Sequence, residues 1–184
     1  MGKKIAVLFP GIGYTCDKPL LYYSAKIAGR LGFDVVRLPY GGFPSGVKGD
    51  PAKMYQCFVS AREQAEEMLR DVKWDEYETI VFFSKSVGTA VARSYASEHQ
   101  IAANHVLYTP VEKTFGFPGG PSIVFHGTAD PWAATEVITK ACERENLPLF
   151  VFRDADHSLE TGKVRKDIKR LRRVMGEVEA FLEE

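Results

Sequence analysis

Ser84-Lys85-Ser86-Val87-Gly88 lies between an apolar run and a helical one. A serine on a tight turn from strand to helix is set up to act as a nucleophile. Such a turn brings strand and helix close together, so the positions two before and two after the nucleophile must be small. Around Ser86 these are Ser84 and Gly88; around Ser84 they would be Phe82 and Ser86, and Phe82 does not fit. Ser86 is therefore the candidate nucleophile, with Ser84 standing where G-x-S-x-G has its first glycine. The turn also aims the start of the next helix at the site, where its N–H groups and dipole favour a developing oxyanion. A helix-capping serine fits the same pattern. A Ser–Lys dyad through Lys85 is a lesser alternative, because adjacent residues in this turn point apart.

A hydroxyl attacks well only when a base takes its proton, and neutral imidazole is the usual base near neutral pH. Of the four histidines, His99 follows a helix and His105 opens a strand, which puts both at the wrong end of a sheet. His126 ends a strand near the right edge. His157, in the polar loop Asp154-Ala155-Asp156-His157-Ser158, has the reach of a base. An acid must then orient the imidazole and stabilise its charged form. Asp130, on the loop after the fifth apolar run, is the candidate. Asp154 and Asp156 are rivals, too near His157 in sequence to reach its far nitrogen easily. Asp130-Pro131 also reads as a helix cap followed by a first-turn proline.

These side chains need elements to hold them. Six short apolar runs, Ile5–Phe9, Asp34–Leu38, Thr79–Phe83, His105–Tyr108, Ser122–Phe125 and Leu149–Phe152, read as strands covered on both faces. Helical patterns alternate with them. Pro19–Leu31 carries Leu21, Ala25 and Ala28 on one face. Asp50-Pro51 opens a helix with Tyr55, Phe58, Val59, Ala65, Met68, Leu69 and Val72 at helical spacing. A short helix follows Ser86, and another runs from Asp130-Pro131 to about Glu145. The last, about Lys163 to Leu182, has the stripe Val164, Ile168, Leu171, Met175, Val178 and Leu182. Alternation of this kind predicts an α/β/α sandwich of about six mostly parallel strands in one domain, residues 1–184. Only Thr109–Pro121, rich in Gly and Pro, joins two strands without a helix and reads as loop. Tyr40–Gly49 follows the second strand, where it is either a plain connection or a wall of the site.

On these residues the sequence resembles the α/β-hydrolase superfamily, and within it the small lidless members akin to dienelactone hydrolases and short esterases. The carriers are FPGIGY at 9–14, SKSVG at 84–88, FHGTADPW at 125–132 and DADHSLE at 154–160. The order Ser, Asp, His is the one this fold uses. The resemblance implies a Ser86–Asp130–His157 triad and an oxyanion loop at Pro10–Tyr14. One backbone N–H of that loop, from Ile12 or else Gly13 or Tyr14, would pair with that of Val87. A dinucleotide-binding turn at Gly11 and Gly13 fails because position 16 is Cys16, not glycine. No insertion is long enough for a cap, so the expected site is shallow and suits small substrates. A partner subunit, as in a homodimer, could supply a wall. Gly13, Tyr14, Cys16, Tyr40, Phe43, Phe115, Phe117 and Trp132 sit on loops at the expected catalytic edge, as pocket lining or as ordinary rim residues.

Composition narrows the rest. Twenty-four basic and twenty-four acidic residues balance, which gives no case for nucleic acid or membrane as partner. Three cysteines without motif spacing read as reduced thiols of a cytoplasmic protein, with no disulfide framework and no metal site. No leader core or spanning run is seen. Lys163, Arg165, Lys166, Lys169, Arg170, Arg172 and Arg173 form a basic face on the last helix, read as solvated and balanced by Glu63, Glu66, Glu67 and Asp71. The expectation is thus a serine esterase or thioesterase acting on a small molecule without cofactor. The alternatives are a binding or scaffold protein that keeps the fold without turnover, and a nucleotide-binding domain.

Overall fold

The computed structural model describes residues 2–183. Six strands, β1 (Lys3–Phe9), β2 (Phe33–Arg37), β3 (Tyr77–Lys85), β4 (Asn104–Tyr108), β5 (Ser122–Gly127) and β6 (Leu149–Phe152), form one sheet in the order β2-β1-β3-β4-β5-β6. Every pairing is parallel. The near-continuous apolar character of the strands follows from this, because both faces are covered.

Five helices do the covering: α1 (Pro19–Arg30), α2 (Pro51–Leu69), α3 (Val87–Glu98), α4 (Thr135–Glu145) and α5 (Val164–Glu183). Side chains alternate along the strands and divide the core in two. Leu8, Phe83, Tyr108 and Phe125 pack with α1 and α5. Phe9 and Phe82 pack with α2 and α3 on the other face, and Leu107 and Val124 meet α4 there. Each fully buried aromatic or aliphatic side chain contributes about 1.5–3 kcal/mol relative to exposure, so two filled layers hold the strand ends, and the loops they carry, in fixed register.

The local signals succeed where tertiary contacts agree with them. Asp50 caps α2, accepting from the Lys53 N–H at 3.0 Å, with Pro51 in the first turn. Asp130-Pro131 does not open a helix. The Asp130 carboxylate is engaged elsewhere, and α4 starts only at Thr135. The segment after β4 is not all loop, since Glu112–Gly116 forms a 3₁₀ turn. Tyr55 and Met68 on α2 are exposed, as are Val164 (71%) and Ile168 (61%) on α5. On α5, Arg170, Val174 and Val178 are buried, and Leu171, Met175 and Leu182 of the expected stripe pack partly buried against the core. Arg170 thus leaves the basic face: its guanidinium donates to the Leu159 and Arg153 carbonyls at 3.1 Å and lies over the Phe152 ring. The acids of α2 do not balance that face in space either, because α2 and α5 cover opposite sides of the sheet.

Candidate active site

The turn at Ser86 is built by close packing. Ser86 has φ 56° and ψ −126°, a strained conformation for a residue with a side chain. Its N–H donates to the Tyr108 carbonyl at 3.0 Å. A Cβ on Gly88 would stand 2.3 Å from the Phe9 carbonyl oxygen and 2.4 Å from that of Pro10, so only glycine fits. Ser84 is sealed on the other side, donating to the Val106 carbonyl at 3.3 Å. The glycine two after Ser86 therefore has a direct steric cause, and the serine two before it is fully buried.

Three side chains from three loops meet at the carboxyl edge of the sheet. His157 Nε2 lies 2.7 Å from Ser86 Oγ, and His157 Nδ1 lies 2.7 Å from Asp130 Oδ2. With Asp130 ionised, the neutral imidazole carries its proton on Nδ1, and Nε2 accepts from the serine hydroxyl. Burial alone would raise the Asp130 pKa. The hydrogen bond and charge of His157, with the Trp132 N–H on Oδ1 at 2.8 Å, outweigh it and hold the carboxyl below the usual carboxylate range. Burial lowers the His157 pKa, Asp130 opposes this, and the charge of Lys85 adds to the lowering. The imidazole is thus unprotonated near neutral pH.

The histidine loop is fixed by contacts that sequence reasoning passed over. Thr109 Oγ1 donates to the His157 carbonyl at 2.9 Å from the end of β4. Its φ of 40° is a second strained position at this edge, with no motif to announce it. Asp156 points away from the imidazole and accepts the N–H groups of Ser158 and Glu160 at 2.7 and 2.9 Å. Asp154 offers its N–H to Thr128 Oγ1 at 2.9 Å. His126 lies with Nδ1 3.9 Å from Asp130 and Nε2 3.1 Å from Thr135 Oγ1, outside the Ser86 chain. His105 is buried at the start of β4, and His99 pairs with Glu66 far from this edge.

The loop at Pro10–Tyr14 faces the nucleophile. A Cβ on Gly11 would meet that of Ser86 at 3.0 Å. Gly11 and Tyr14 exchange N–H···O bonds at 3.1 and 3.3 Å, which uses both their N–H groups. Tyr14 is thereby removed as an oxyanion donor. Among the described residues the N–H groups of Ile12 and Gly13 have no backbone acceptor, and that of Val87 opens α3, where no intrahelical partner exists. A cavity of about 500 Å³ runs along this loop, lined by Gly11, Ile12, Gly13, Arg37, Tyr40 and Phe43 among others.

The expected lining residues separate. Trp132 is at the site, its ring 5.6 Å from that of His157. Phe43 and Gly13 border the cavity. Tyr40 does so mainly as a fastener, its buried hydroxyl donating to the Pro10 carbonyl at 2.6 Å. Tyr14 is sunk beneath the loop, its oxygen accepting the Leu20 N–H at 3.1 Å. Phe115 packs with Ala133 and Ile138 against α4, and Phe117 stacks on Phe58 at 5.8 Å, so neither lines the site. Cys16 is buried near the Leu8 and Leu38 carbonyls, and burial pushes its thiol up to about 11.

Lys85 turns away from Ser86. Alternation along β3 puts it on the α1/α5 side with Val81 and Phe83. It is 1% exposed, its ammonium 5.0 Å from the centre of the Tyr14 ring. The Ser–Lys dyad finds no geometry here.

No protein-family model matches this sequence, and no curated protein matches it. Solved structures do. A chain assigned to the α/β-hydrolase superfamily from Xanthomonas campestris pv. campestris matches with a TM-score of 0.71 at 15% identity, over 98% of this chain and 99% of that one. A lidless α/β serine hydrolase from Xanthomonas campestris gives 0.62 at 15% identity, over 98% and 84%. An esterase from Pyrococcus furiosus gives 0.68 at 15% identity, over 99% and 83%. With this strand order and these neighbours, the chain has the fold of the small, lidless α/β hydrolases.

Proposed function

We propose that this chain is a serine hydrolase that cleaves a small carboxylic ester or thioester through an acyl-enzyme. The observation that carries the reading is the unbroken chain of two 2.7 Å contacts from Ser86 through His157 to Asp130. Ser86 Oγ attacks the carbonyl carbon while His157 Nε2 takes its proton. Asp130 holds the imidazole in the productive tautomer and stabilises the imidazolium. The carbonyl oxygen becomes an anion received by the N–H groups of Val87 and Ile12, both without a backbone acceptor. His157 then gives the proton to the leaving oxygen or sulfur, and the acyl group stays on Ser86. Water enters, His157 takes one of its protons, and the second attack frees the acid and restores the serine. Gly13 and Phe43 border the cavity along the Pro10–Tyr14 loop, and Trp132 lies beside His157.

Intact mass after treatment with a fluorophosphonate tests this directly. The expected result is one adduct on the wild type and none on Ser86→Ala. An unlabelled, folded wild type overturns the hydrolase reading and leaves a binding protein on the same fold.

A further inference from the structure

Arg170 is a charge set in a row of valines. It lies on the buried face of α5, one turn before Val174 and two before Val178, and is 9% exposed. A guanidinium is costly to bury unless its donors are used. Arg170 uses them on one loop. Nη1 donates to the Leu159 carbonyl and Nη2 to the Arg153 carbonyl, both at 3.1 Å. These two carbonyls stand at the feet of the loop that carries His157. The chain turns at both feet, where Asp154 has φ 57° and Leu159 has φ 61°. Aspartate tolerates that region; leucine enters it at a cost, and such a conformation persists only where its surroundings hold it. Between the feet the loop is tied by other bonds. Asp156 accepts the Ser158 and Glu160 N–H groups on its carboxylate and the Leu159 N–H on its carbonyl, and Thr109 holds the His157 carbonyl. Asp167, one turn before Arg170, lies 3.6 Å from Nη1 and accepts the Thr161 N–H and hydroxyl at 2.8 and 2.7 Å, which ties down the chain leading from the loop into α5.

We infer that Arg170 is a positioning residue for the reaction: its planar fork clamps both feet of the His157 loop and so holds Nε2 at bonding distance from Ser86 Oγ. The inference rests on His157 being the base of the proposed reaction. Internal bonds give the loop its shape, and Arg170 fixes where that shape stands against α5 and the sheet. The residue type matters. A guanidinium presents its donors in a rigid plane, so one side chain can fix two carbonyls relative to each other. A lysine would bring a single nitrogen on a flexible stem. Proton transfer needs the base within hydrogen-bond reach of the hydroxyl. Displacing a catalytic group by about 1 Å costs on the order of 10²-fold in rate, even when the cause lies far from the chemistry. Arg170 touches no reacting atom, and its effect passes through the backbone of the loop. Its loss should therefore appear in kcat and leave KM nearly unchanged.

The experiment compares the wild type with Arg170→Met and Arg170→Lys at a temperature where circular dichroism shows all three folded. It measures kcat and KM on p-nitrophenyl acetate, and the low-field NMR signal of the His157 Nδ1 proton bonded to Asp130. Arg170→Met should lose about 10²-fold in kcat with KM little changed, and its Nδ1 proton signal should broaden or vanish. Arg170→Lys should fall between it and the wild type, and decides the matter alone if the methionine variant does not fold. Wild-type kcat and an unmoved Nδ1 proton signal in a folded variant, even a less stable one, would overturn the inference and leave Arg170 a structural anchor of α5. A wild type that no fluorophosphonate labels would retire the hydrolase reading. The Nδ1 proton signal then decides the clamp by itself: its loss in the variants upholds the clamp, and its persistence overturns it.

Discussion

Of the three buried cations among the described residues, Lys85, Arg93 and Arg170, the first two lie near opposite ends of the strands, and their surroundings differ in kind. Arg93, on α3, is fully buried beneath the Gly116–Pro121 segment. Its guanidinium donates to Glu145 at 2.7 Å and to Ser122 Oγ at 3.3 Å, and lies over the Phe115 ring. A Cβ on Gly119 would stand 2.7 Å from it, so a larger residue there would displace the guanidinium. Beside it His105 is held down to about 3 by burial and the Arg93 charge, and stays neutral. Lys85, at the end of β3, has no carboxylate partner among the described residues, and its ammonium lies 5.0 Å from the centre of the Tyr14 ring. The paired cation ties together β5, α3 and α4.

This contrast predicts that substitutions at one edge remove activity and at the other remove stability. The largest effect belongs to Asp130→Asn. It keeps the shape but favours the wrong imidazole tautomer, and should lower kcat about 10⁴-fold with little change in melting temperature. Esterase assay and thermal unfolding on the same sample check both halves. Arg93→Met comes next, at the opposite edge. Removing one partner of a buried pair should cost about 3 kcal/mol in denaturant unfolding, since Glu145 retains some access to water. Fluorophosphonate labelling of the folded variant should keep the wild-type rate. A variant equally stable but inactive would break the division between the edges.

The smallest effect sharpens the comparison most. Lys85→Met should be more stable than the wild type, because an unpaired buried ammonium is replaced by a thioether of similar length. The folded-state pKa of Lys85 is about 7, below its ordinary 10.5. Between those values the unfolded wild type binds a proton that the folded one does not, so wild-type stability rises with pH there. The advantage of the methionine variant should be widest below about pH 7 and shrink toward about pH 10. Urea unfolding at three pH values reads this out. A constant difference would mean that the folded protein does not hold the amine in a shifted state.

How much of this was legible in the sequence depends on which force fixes each residue. The six strands were, because both-face burial leaves a continuous apolar run. Ser86 stood out because a steric rule, small residues at Ser84 and Gly88, has a local cause in the approach of α3 to Phe9 and Pro10. Asp130 misled as a helix cap: one carboxylate oxygen does accept the nearby Trp132 N–H, but the other faces His157, and the helix starts only at Thr135. Tyr14 and Tyr40 were placed at the correct edge, but which way a loop side chain turns is set by partners such as the Leu20 N–H and the Pro10 carbonyl. Val164 and Ile168 failed for another reason. The helical stripe continues beyond the point where α5 has anything to cover. Thr109 carries no pattern at all, since its use depends on where the loop after β6 comes to rest.

The distance along the chain between the parts of the site has a consequence for how the molecule is made. Ser86 and His157 are 71 residues apart and Asp130 lies between them. His157 follows the edge strand β6, which joins the sheet only through β5. Parallel pairing of distant segments closes large loops and is slow. On a ribosome, Ser86 and its turn emerge well before the segment that would activate it, and a chain released early carries an inert hydroxyl. Under the proposed mechanism, labelling of Ser86 therefore times the docking of the last strand, and a half-made molecule is not labelled.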